Sequence, residues 1–584
     1  MATEPGADPF RNRLALALLG GLASVALWIL TEADALQERA PGLFLLLVTG
    51  LSVWSGVALA MAGPLRLRRA LAGAVILAVP AAALMWLAGQ RYEVPTDVLL
   101  KPGTLPVFLP MIFIATPFLS VALQRRGAML SYPDLFGTAW SITIRFAAAM
   151  LFAGVVWGLI YLSDSLLGIV GIEVIERILD IDAVPAAITG AALGLGIAVI
   201  HELREVVSPQ LPLRLLRLLV WPILAVVAVF LIAVPLQGLS GLVGQLSPAG
   251  TLMGVALGAV TLITSAVGRD DDEAVRAELG ARLLALSVPL VAGLGAWAVV
   301  MRVVQYGMTP DRALAAVVAL VVLLYGLAYA VSALRGKVRW MALLRQANVW
   351  LALFTVAVCA AWLTPLLNAE RWSVNSQLSR FAAGRTQVDE LPLTRMARHW
   401  GKAGQAGLDR LEAMTDHPDH ALLVAKIAET RTATDTPPTP TIPTPDRVAP
   451  VAQELALWIP VRPEGALQIE DLERINPYWL GEWHGRCAPL PEAPARCVFV
   501  AGRFSADLPA SDQGLMILPD GAGGLIAQHV RWPGAEVAPM NSAEGLPIDA
   551  VGRILSGDFA LAPIETQALE LDGRRFAPGL RASE

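Results

Sequence analysis

Residues 313–334, ALAAVVALVVLLYGLAYAVSAL, contain no charged side chain and lie between Arg312 and Arg335. A helix of this kind can cross the roughly 30 Å hydrocarbon core of a membrane, which needs about 20 apolar residues. Eleven predominantly apolar stretches of about this length lie between residues 14 and 367. The 584-residue chain is 55% hydrophobic and 16% charged, against about 45–50% and 25% in soluble domains. The sequence therefore predicts an α-helical polytopic membrane protein with about eleven transmembrane helices, within a range of ten to twelve.

The charge distribution divides the chain into two parts that meet near residue 367. Residues 1–367 carry 24 Lys and Arg against 21 Asp and Glu, whereas residues 368–584 carry 20 against 28. The acidic part lacks the basic excess of nucleic-acid-binding domains, so no nucleic-acid partner is expected. The predicted organisation is a cytoplasmic N-terminus over 1–13, a transmembrane domain over 14–367, juxtamembrane helices over 368–431, a Pro/Thr-rich linker over 432–450 and a small mainly-β module over 451–584.

Arginine and lysine in the short loops predict the orientation in the membrane. With the N-terminus inside, the cytoplasmic segments hold seventeen Lys and Arg and the outer loops hold six. The more basic side of a membrane protein faces the cytoplasm. The first span contains Trp28 and is followed by no small-residue cleavage site, so we expect it to be retained rather than removed as a signal peptide. Eleven spans then place everything after Leu367 on the outer side of the membrane.

The region after residue 367 has the patterns of a folded extracytoplasmic domain. Apolar residues at helical spacing predict the juxtamembrane helices, and the linker TATDTPPTPTIPTPDRVAP is expected to be extended. Strand-like runs at 514–518 and 525–532, joined by a Gly-rich turn at 520–524, predict a β-hairpin. Cys487 and Cys497 are a disulfide candidate if this region faces an oxidising compartment, with free thiols as the alternative. A zinc site is disfavoured because no second Cys/His pair has zinc spacing.

Ionisable residues inside the predicted spans are few. Arg145 lies under two turns from the end of the fifth span, so its side chain is expected to extend to the membrane surface, with a functional role as the alternative. No acidic residue lies near the midplane, where ion-coupled transporters usually bury one. The acidic run at 270–273 is interpreted as a solvated loop, and neither a metal nor a cofactor is predicted. Close helix packing is predicted at two pairs of small residues, Gly190/Gly194 and Gly254/Gly258.

The most distinctive loop is RVVQYGMTPDR at residues 302–312, between the ninth and tenth spans. Thr before Pro is typical of a helix N-cap with proline in the first turn, and Tyr-Gly predicts the turn that precedes it. We therefore expect a tight, ordered hairpin on the outer face. Its candidate functional or structural residues are Tyr306, Gly307, Thr309, Asp311 and Arg312.

This loop resembles the corresponding signature of a bacterial membrane family catalogued as domain of unknown function 4153. A second resemblance follows the last span in AERWSVNSQLSRFAAGR, residues 369–385. Together they cover roughly residues 10–415 and imply an eleven-span plan with an extracytoplasmic C-terminal part, but no biochemical activity. The second motif contributes the candidate outer-face residues Arg371, Ser373, Asn375, Gln377 and Arg380.

Three functional interpretations are compatible with these patterns. We favour a non-enzymatic membrane protein that serves envelope assembly or sensing through its outside module, with the lipid bilayer and envelope proteins as partners. The alternatives are a transporter or channel for a small or lipidic substrate, and a membrane enzyme acting on a lipid-linked substrate. For the enzyme, the candidate residues are Tyr306, Asp311, Arg312 and Arg371. The hairpin and the helix end Asn375–Arg380 are predicted to pack together.

Overall fold

A computed structural model of the chain describes residues 9–125, 127–202, 210–237, 248–269, 278–335, 339–432, 443, 447–489, 495–505, 508–519, 524–532, 536–539, 546–547, 549–561, 569–571 and 574–576. The chain divides into two compact units, Met1–Thr430 and Arg431–Glu584. Most of the predicted linker and of the turn at 520–524 lies outside the described residues, as does the acidic run at 270–273.

The first unit is built from helices that alternate with short connections. In chain order they are α1 (Pro9–Thr31), α2 (Asp34–Arg39), α3 (Pro41–Met61), α4 (Leu67–Gly89), α5 (Thr104–Gln124), α6 (Tyr132–Ile169), α7 (Val174–Leu179), α8 (Ala183–Glu202), α9 (Gln210–Leu218), α10 (Val220–Gln237), α11 (Pro248–Val267), α12 (Glu278–Tyr306), α13 (Pro310–Arg335) and α14 (Trp340–Trp362). Within the described residues, eleven helical segments are long and apolar enough to cross a membrane, α9 and α10 together forming one of them. This number agrees with the prediction, and the chain is a multi-pass membrane protein.

Helices α1 and α8 approach each other closely because glycines face each other. A Cβ atom built on Gly20 would lie 2.1 Å from the carbonyl oxygen of Gly190, and one built on Gly194 would lie 2.0 Å from a backbone oxygen of α1. A side chain at these positions would force the helices apart. The predicted packing at Gly190/Gly194 is therefore confirmed. A Cβ on Gly254 or Gly258 would meet no atom within 4 Å among the described residues, so the second predicted pair is wrong.

Four further helices follow the last membrane helix: α15 (Ala369–Ala382), α16 (Leu393–His399), α17 (Gly401–Glu412) and α18 (His420–Thr432). Asn368 caps α15 because its side chain accepts the backbone N–H of Arg371 at 2.8 Å. The helices share an apolar core that includes Phe381, Trp400 and Leu408. The predicted juxtamembrane helices are thus confirmed as helices with a core of their own.

The second unit contains a small sheet with helices around it. Its helices are α19 (Val448–Trp458), α20 (Ile469–Glu473), α21 (Pro477–Cys487) and α22 (Ala550–Ser556), and its strands are β1 (Val461–Arg462), β2 (Val498–Ala501), β3 (Gln513–Pro519), β4 (Leu525–Arg531), β5 (Glu536–Pro539), β6 (Leu569–Leu571) and β7 (Arg574–Phe576). Strands β1 to β5 form one sheet in sequence order, and β6 pairs with β7 separately. Because β3 and β4 are antiparallel neighbours with Gln513 opposite Arg531, the predicted hairpin is confirmed.

The prediction of a mainly-β module is wrong in its proportions. In the described residues after 447 the four helices hold about as many residues as the strands, so the unit is mixed. Its helices are 5 to 11 residues long, too short for apolar periodicity to reveal. The pair Asn476-Pro477 is a sequence signal for the start of a helix. In the structure, Asn476 accepts the backbone N–H of Tyr478, and Pro477 lies in the first turn of α21.

Candidate functional site

The hairpin between α12 and α13 is ordered by bonds within the loop. Gly307 has a φ of +76°, a conformation that glycine adopts at little cost. The hydroxyl of Thr309 accepts the backbone N–H of Arg312 at 3.4 Å, which supports the predicted N-cap. The Arg312 guanidinium donates to the carbonyl oxygens of Gly307 at 2.7 Å and Tyr306 at 3.2 Å. These bonds satisfy carbonyls that the end of α12 leaves without helical partners.

Helix α15 packs on this hairpin, as predicted. The side-chain amide of Gln377 donates to the carbonyl oxygens of Tyr306 at 3.2 Å and Met308 at 3.0 Å. The Arg380 guanidinium donates to two further carbonyls of the last turn of α12, at 2.8 and 2.7 Å. In return, the backbone N–H of Met308 donates to the hydroxyl of Ser376 at 3.0 Å. At this end of the membrane domain α12 ends, α13 begins and α15 packs against both. We call it the capped face.

The other predicted residues of the hairpin and of α15 take different positions. Ser373 is buried, and its hydroxyl donates to the carbonyl oxygen of Ala369 at 2.7 Å. The ring of Tyr306 is 55% exposed, with the Arg302 and Arg312 guanidiniums 5.7 and 5.5 Å from its centre. Asp311 lies in the first turn of α13, where the helix dipole favours a negative charge. The predicted hairpin residues therefore hold the loop in shape.

A buried ion pair on the capped face was missed by the sequence analysis. Arg91 donates to the carbonyl oxygens of Trp362 at 2.5 Å and Thr364 at 2.6 Å, and it lies 3.5 Å from the Glu370 carboxylate. The Tyr92 hydroxyl donates to the other carboxylate oxygen at 2.8 Å. Burial, and then the Glu370 charge, raise the pKa of Tyr92 well above its usual value. The interactions of Arg91, Tyr92 and Glu370 thus connect the end of α4 to the start of α15.

The position of Arg145 differs from the expectation that its side chain reaches the membrane surface. Its guanidinium does not extend to the surface but is 4% exposed and donates to the carbonyl oxygens of Ala62 at 2.7 Å and Ala60 at 2.9 Å. These carbonyls belong to the end of α3, where the helix dipole favours a cation. Three further arginines donate to carbonyls in the last turns of other membrane helices, at distances of 2.7 to 3.1 Å: Arg217, Arg282 and Arg345.

Arg371 and Asn375 lie apart from the hairpin, on the side of α15 that faces α17. Together with Arg410 of α17 they line a cavity of about 200 Å³. The Arg410 guanidinium donates to the Asn375 side-chain oxygen at 2.9 Å. Arg410 was not among the residues selected from the sequence, because its partner lies 35 positions away.

A larger cavity, of about 570 Å³, lies inside the membrane domain between α5, α6, α11, α13 and α14. Its described lining is mostly aliphatic and aromatic and includes no charged side chain; the aromatic part comprises Phe113, Phe118, Phe136 and Trp140. The volume falls within the roughly 300–1,000 Å³ of small-molecule sites. An apolar wall of this kind suits an apolar occupant and excludes an ion.

Hydrogen-bonding groups gather in one part of that cavity. The Tyr329 hydroxyl donates to the Asn348 side-chain oxygen at 2.5 Å and bonds the Thr264 hydroxyl at 2.7 Å. The Asn348 amide nitrogen and the Tyr132 hydroxyl are also buried there, close to each other, but no hydrogen bond of good geometry satisfies either of them among the described residues. Buried polar groups are normally satisfied, so these two donors can serve an acceptor on an occupant.

In the second unit, Cys487 and Cys497 form a disulfide with their Cα atoms 5.5 Å apart. Cys487 ends α21 and Cys497 precedes β2, so the bond joins a helix to the sheet. Both residues are buried in the apolar core of that unit, beside Trp483 and Phe499. The candidate disulfide is therefore present in the structure.

Comparison of the chain with protein-family models, with curated proteins and with solved structures found no match. In the part of the chain that the structure describes, no group of three or more His, Cys, Asp or Glu side chains is placed to hold a metal ion. Arg312, Gln377 and Arg380 all donate to backbone carbonyls, an arrangement that stabilises the hairpin.

Proposed function

We propose that the protein is a multi-pass protein of the bacterial cytoplasmic membrane that binds a lipidic molecule in its membrane domain. In this proposal it serves envelope assembly or sensing, with envelope proteins as partners of the region after Leu367. The cavity between α5, α6, α11, α13 and α14 carries the proposal, because it joins an apolar wall to a small group of hydrogen-bonding side chains. Lipids combine the same two properties.

The apolar lining of the cavity favours a lipidic ligand or substrate over a polar one. A transporter for ions or small polar solutes needs polar groups along its path, whereas this lining is mostly apolar. A lipidic substrate or ligand fits it. For the enzyme alternative, Arg312 is the weakest of the hairpin candidates, because its guanidinium already donates to the carbonyls of Tyr306 and Gly307.

Filling the cavity tests the proposal. Ala352 of α14 lines it, and Ala352→Phe should occupy part of its volume. Ala357 of the same helix is exposed and does not line the cavity, so Ala357→Phe is a matched control. We expect native mass spectrometry and lipid extraction of the full-length protein to find a retained lipid in the wild type and in Ala357→Phe, and much less in Ala352→Phe. Equal lipid retention in both variants would contradict the proposal.

We further propose that the N-terminus is cytoplasmic and the C-terminal unit extracytoplasmic. The Lys and Arg bias and the disulfide support this orientation, since disulfides persist in oxidising compartments. In a Cys359→Ser background, a membrane-impermeant thiol reagent applied to intact cells should label Cys487 and Cys497 after reduction and not before. Labelling of free thiols after lysis alone would place the unit in the cytoplasm.

A further inference from the structure

A groove between α15 and α17 brings cationic side chains from both helices together. Arg371 and Asn375 are one turn apart on α15, and Arg410 is in the last turn of α17. All three line the cavity of about 200 Å³. Neither guanidinium forms an ion pair with a described carboxylate, and the Arg371 side chain has no hydrogen-bond partner among the described residues. Two guanidiniums thus share a small space with no neutralising charge.

Arg371 and Arg410 differ from the other arginines described above in the groups that they contact. Arg91, Arg145, Arg312 and Arg380 all donate to carbonyls at the ends of membrane helices. Arg410 instead donates to Asn375 through one nitrogen, which fixes its orientation and leaves its remaining N–H groups available. The helix-capping role that explains the other arginines therefore does not explain this pair.

Small residues of α17 keep the groove open. Ala403, Ala406 and Gly407 form its floor at helical spacing. A Cβ atom on Gly407 would lie 2.7 Å from a methyl carbon of Val374, so the two helices are in close contact beneath the arginines. The cavity of about 200 Å³ that these residues line together with the arginines is not filled by protein.

We propose that this groove binds the phosphate group of a membrane lipid. Guanidinium groups bind phosphate through paired, charge-assisted N–H···O bonds, and a groove with two of them and an amide offers such pairs. The surroundings favour a lipid over free phosphate: Trp372, next to Arg371, is 39% exposed, and Leu366, shortly before α15, is 76% exposed. Tryptophan beside apolar surface is typical of the membrane interface. This site is separate from the cavity inside the membrane domain.

The test measures binding of dihexanoylphosphatidylglycerol to the full-length protein in detergent. Dihexanoylglycerol, which lacks the phosphate, and inorganic phosphate are the comparison ligands. The variants are Arg371→Ala, Arg410→Ala and Ala406→Glu, the last of which places a carboxylate between the arginines. Arg385→Ala is the matched control, because Arg385 is exposed in the loop after α15 and does not line the groove. Thermal unfolding of each variant checks that the fold is retained.

We expect the phospholipid to bind the wild type and Arg385→Ala equally, and each groove variant about tenfold more weakly, as the loss of one charge-assisted bond predicts. Dihexanoylglycerol should bind far less well. Inorganic phosphate that binds as tightly as the phospholipid would keep the phosphate site and refute the lipid as its source. Unchanged phospholipid affinity in all three groove variants would overturn the proposal.

Discussion

Replacing Gly307 by alanine tests whether the hairpin and α15 form one interlocked structure. At a φ of +76°, a residue with a Cβ atom costs about 1–2 kcal/mol. The added Cβ would also lie 2.7 Å from the Gln377 amide nitrogen and 2.8 Å from a side-chain carbon of Arg380. Moving Gln377 weakens its two bonds to hairpin carbonyls, each contributing about 1 kcal/mol. The hairpin should therefore lose about 2–4 kcal/mol of local stability.

Gly384 provides the matched control for this experiment. Its φ is +66°, and a Cβ atom there would meet no atom within 4 Å among the described residues. Gly384→Ala should thus carry the backbone cost of about 1–2 kcal/mol and no steric cost. Comparing the two variants separates the energetic cost of the positive φ from the cost of the steric contacts with α15.

Hydrogen exchange of the full-length protein in detergent, followed by mass spectrometry, measures the effect locally. Since about 1.4 kcal/mol corresponds to a factor of ten, hairpin peptides of Gly307→Ala should exchange about thirty- to several-hundred-fold faster than in the wild type. In Gly384→Ala, peptides around residue 384 should exchange only about five- to thirty-fold faster, as the backbone cost alone predicts, and hairpin exchange should be unchanged. The double variant Gly307→Ala/Gln377→Ala should lose less than the sum of the single variants, because the shorter side chain makes room for the Cβ atom. Strict additivity, or a Gly307→Ala hairpin that exchanges as in the wild type, would refute the reasoning.

Three further predictions concern buried or titrating groups of the first unit. Arg145→Ala should destabilise the protein by about 2–4 kcal/mol, since two carbonyls at the end of α3 lose their donor; an unchanged unfolding temperature would contradict this. Glu370→Ala should cost about 3–5 kcal/mol by leaving the Arg91 charge buried and uncompensated, while Glu370→Gln, which still accepts a bond from Tyr92, should cost less in the same unfolding assay. Burial and nearby cations lower the pKa of His399, so the unfolded chain binds more protons; stability should be complete above about pH 6.5 and decline as the pH falls toward the folded pKa. Unfolding temperatures of His399→Gln measured across pH should show a weaker decline.

The membrane domain was predictable because each span must satisfy one strong condition. A helix in hydrocarbon needs about 20 apolar residues, and this condition can be recognised without knowing any neighbouring helix. The hairpin was also predictable, since Thr309, Pro310 and Gly307 are local signals for a cap and a turn. The structure agrees with the sequence at these positions because the interactions that decide them lie within a few residues.

The cavity and the charged clusters depend on residues far apart in the chain. Arg91 and Glu370 are 279 positions apart, and each has an ordinary local explanation: one is a basic loop residue, and the other is an acid in the first turn of a helix. The large cavity takes its walls from five helices between residues 110 and 355. A local sequence pattern does not indicate which apolar face of a helix contacts a neighbouring helix. Neither the large cavity nor the Arg91–Glu370 pair could therefore be predicted from one sequence.

The arginines near helix ends form hydrogen bonds that a count of charges does not describe. A count of basic residues per loop uses the sign of each charge and predicts the side of the membrane. The count carries no information about which group accepts a hydrogen bond from each basic side chain. Arg217, Arg282 and Arg345 contact the carbonyls of other membrane helices, where each unpaired carbonyl would be costly beside lipid. The same residues that supply the orientation signal therefore also close helix ends, and Arg145, which lies deeper, does so without reaching the surface.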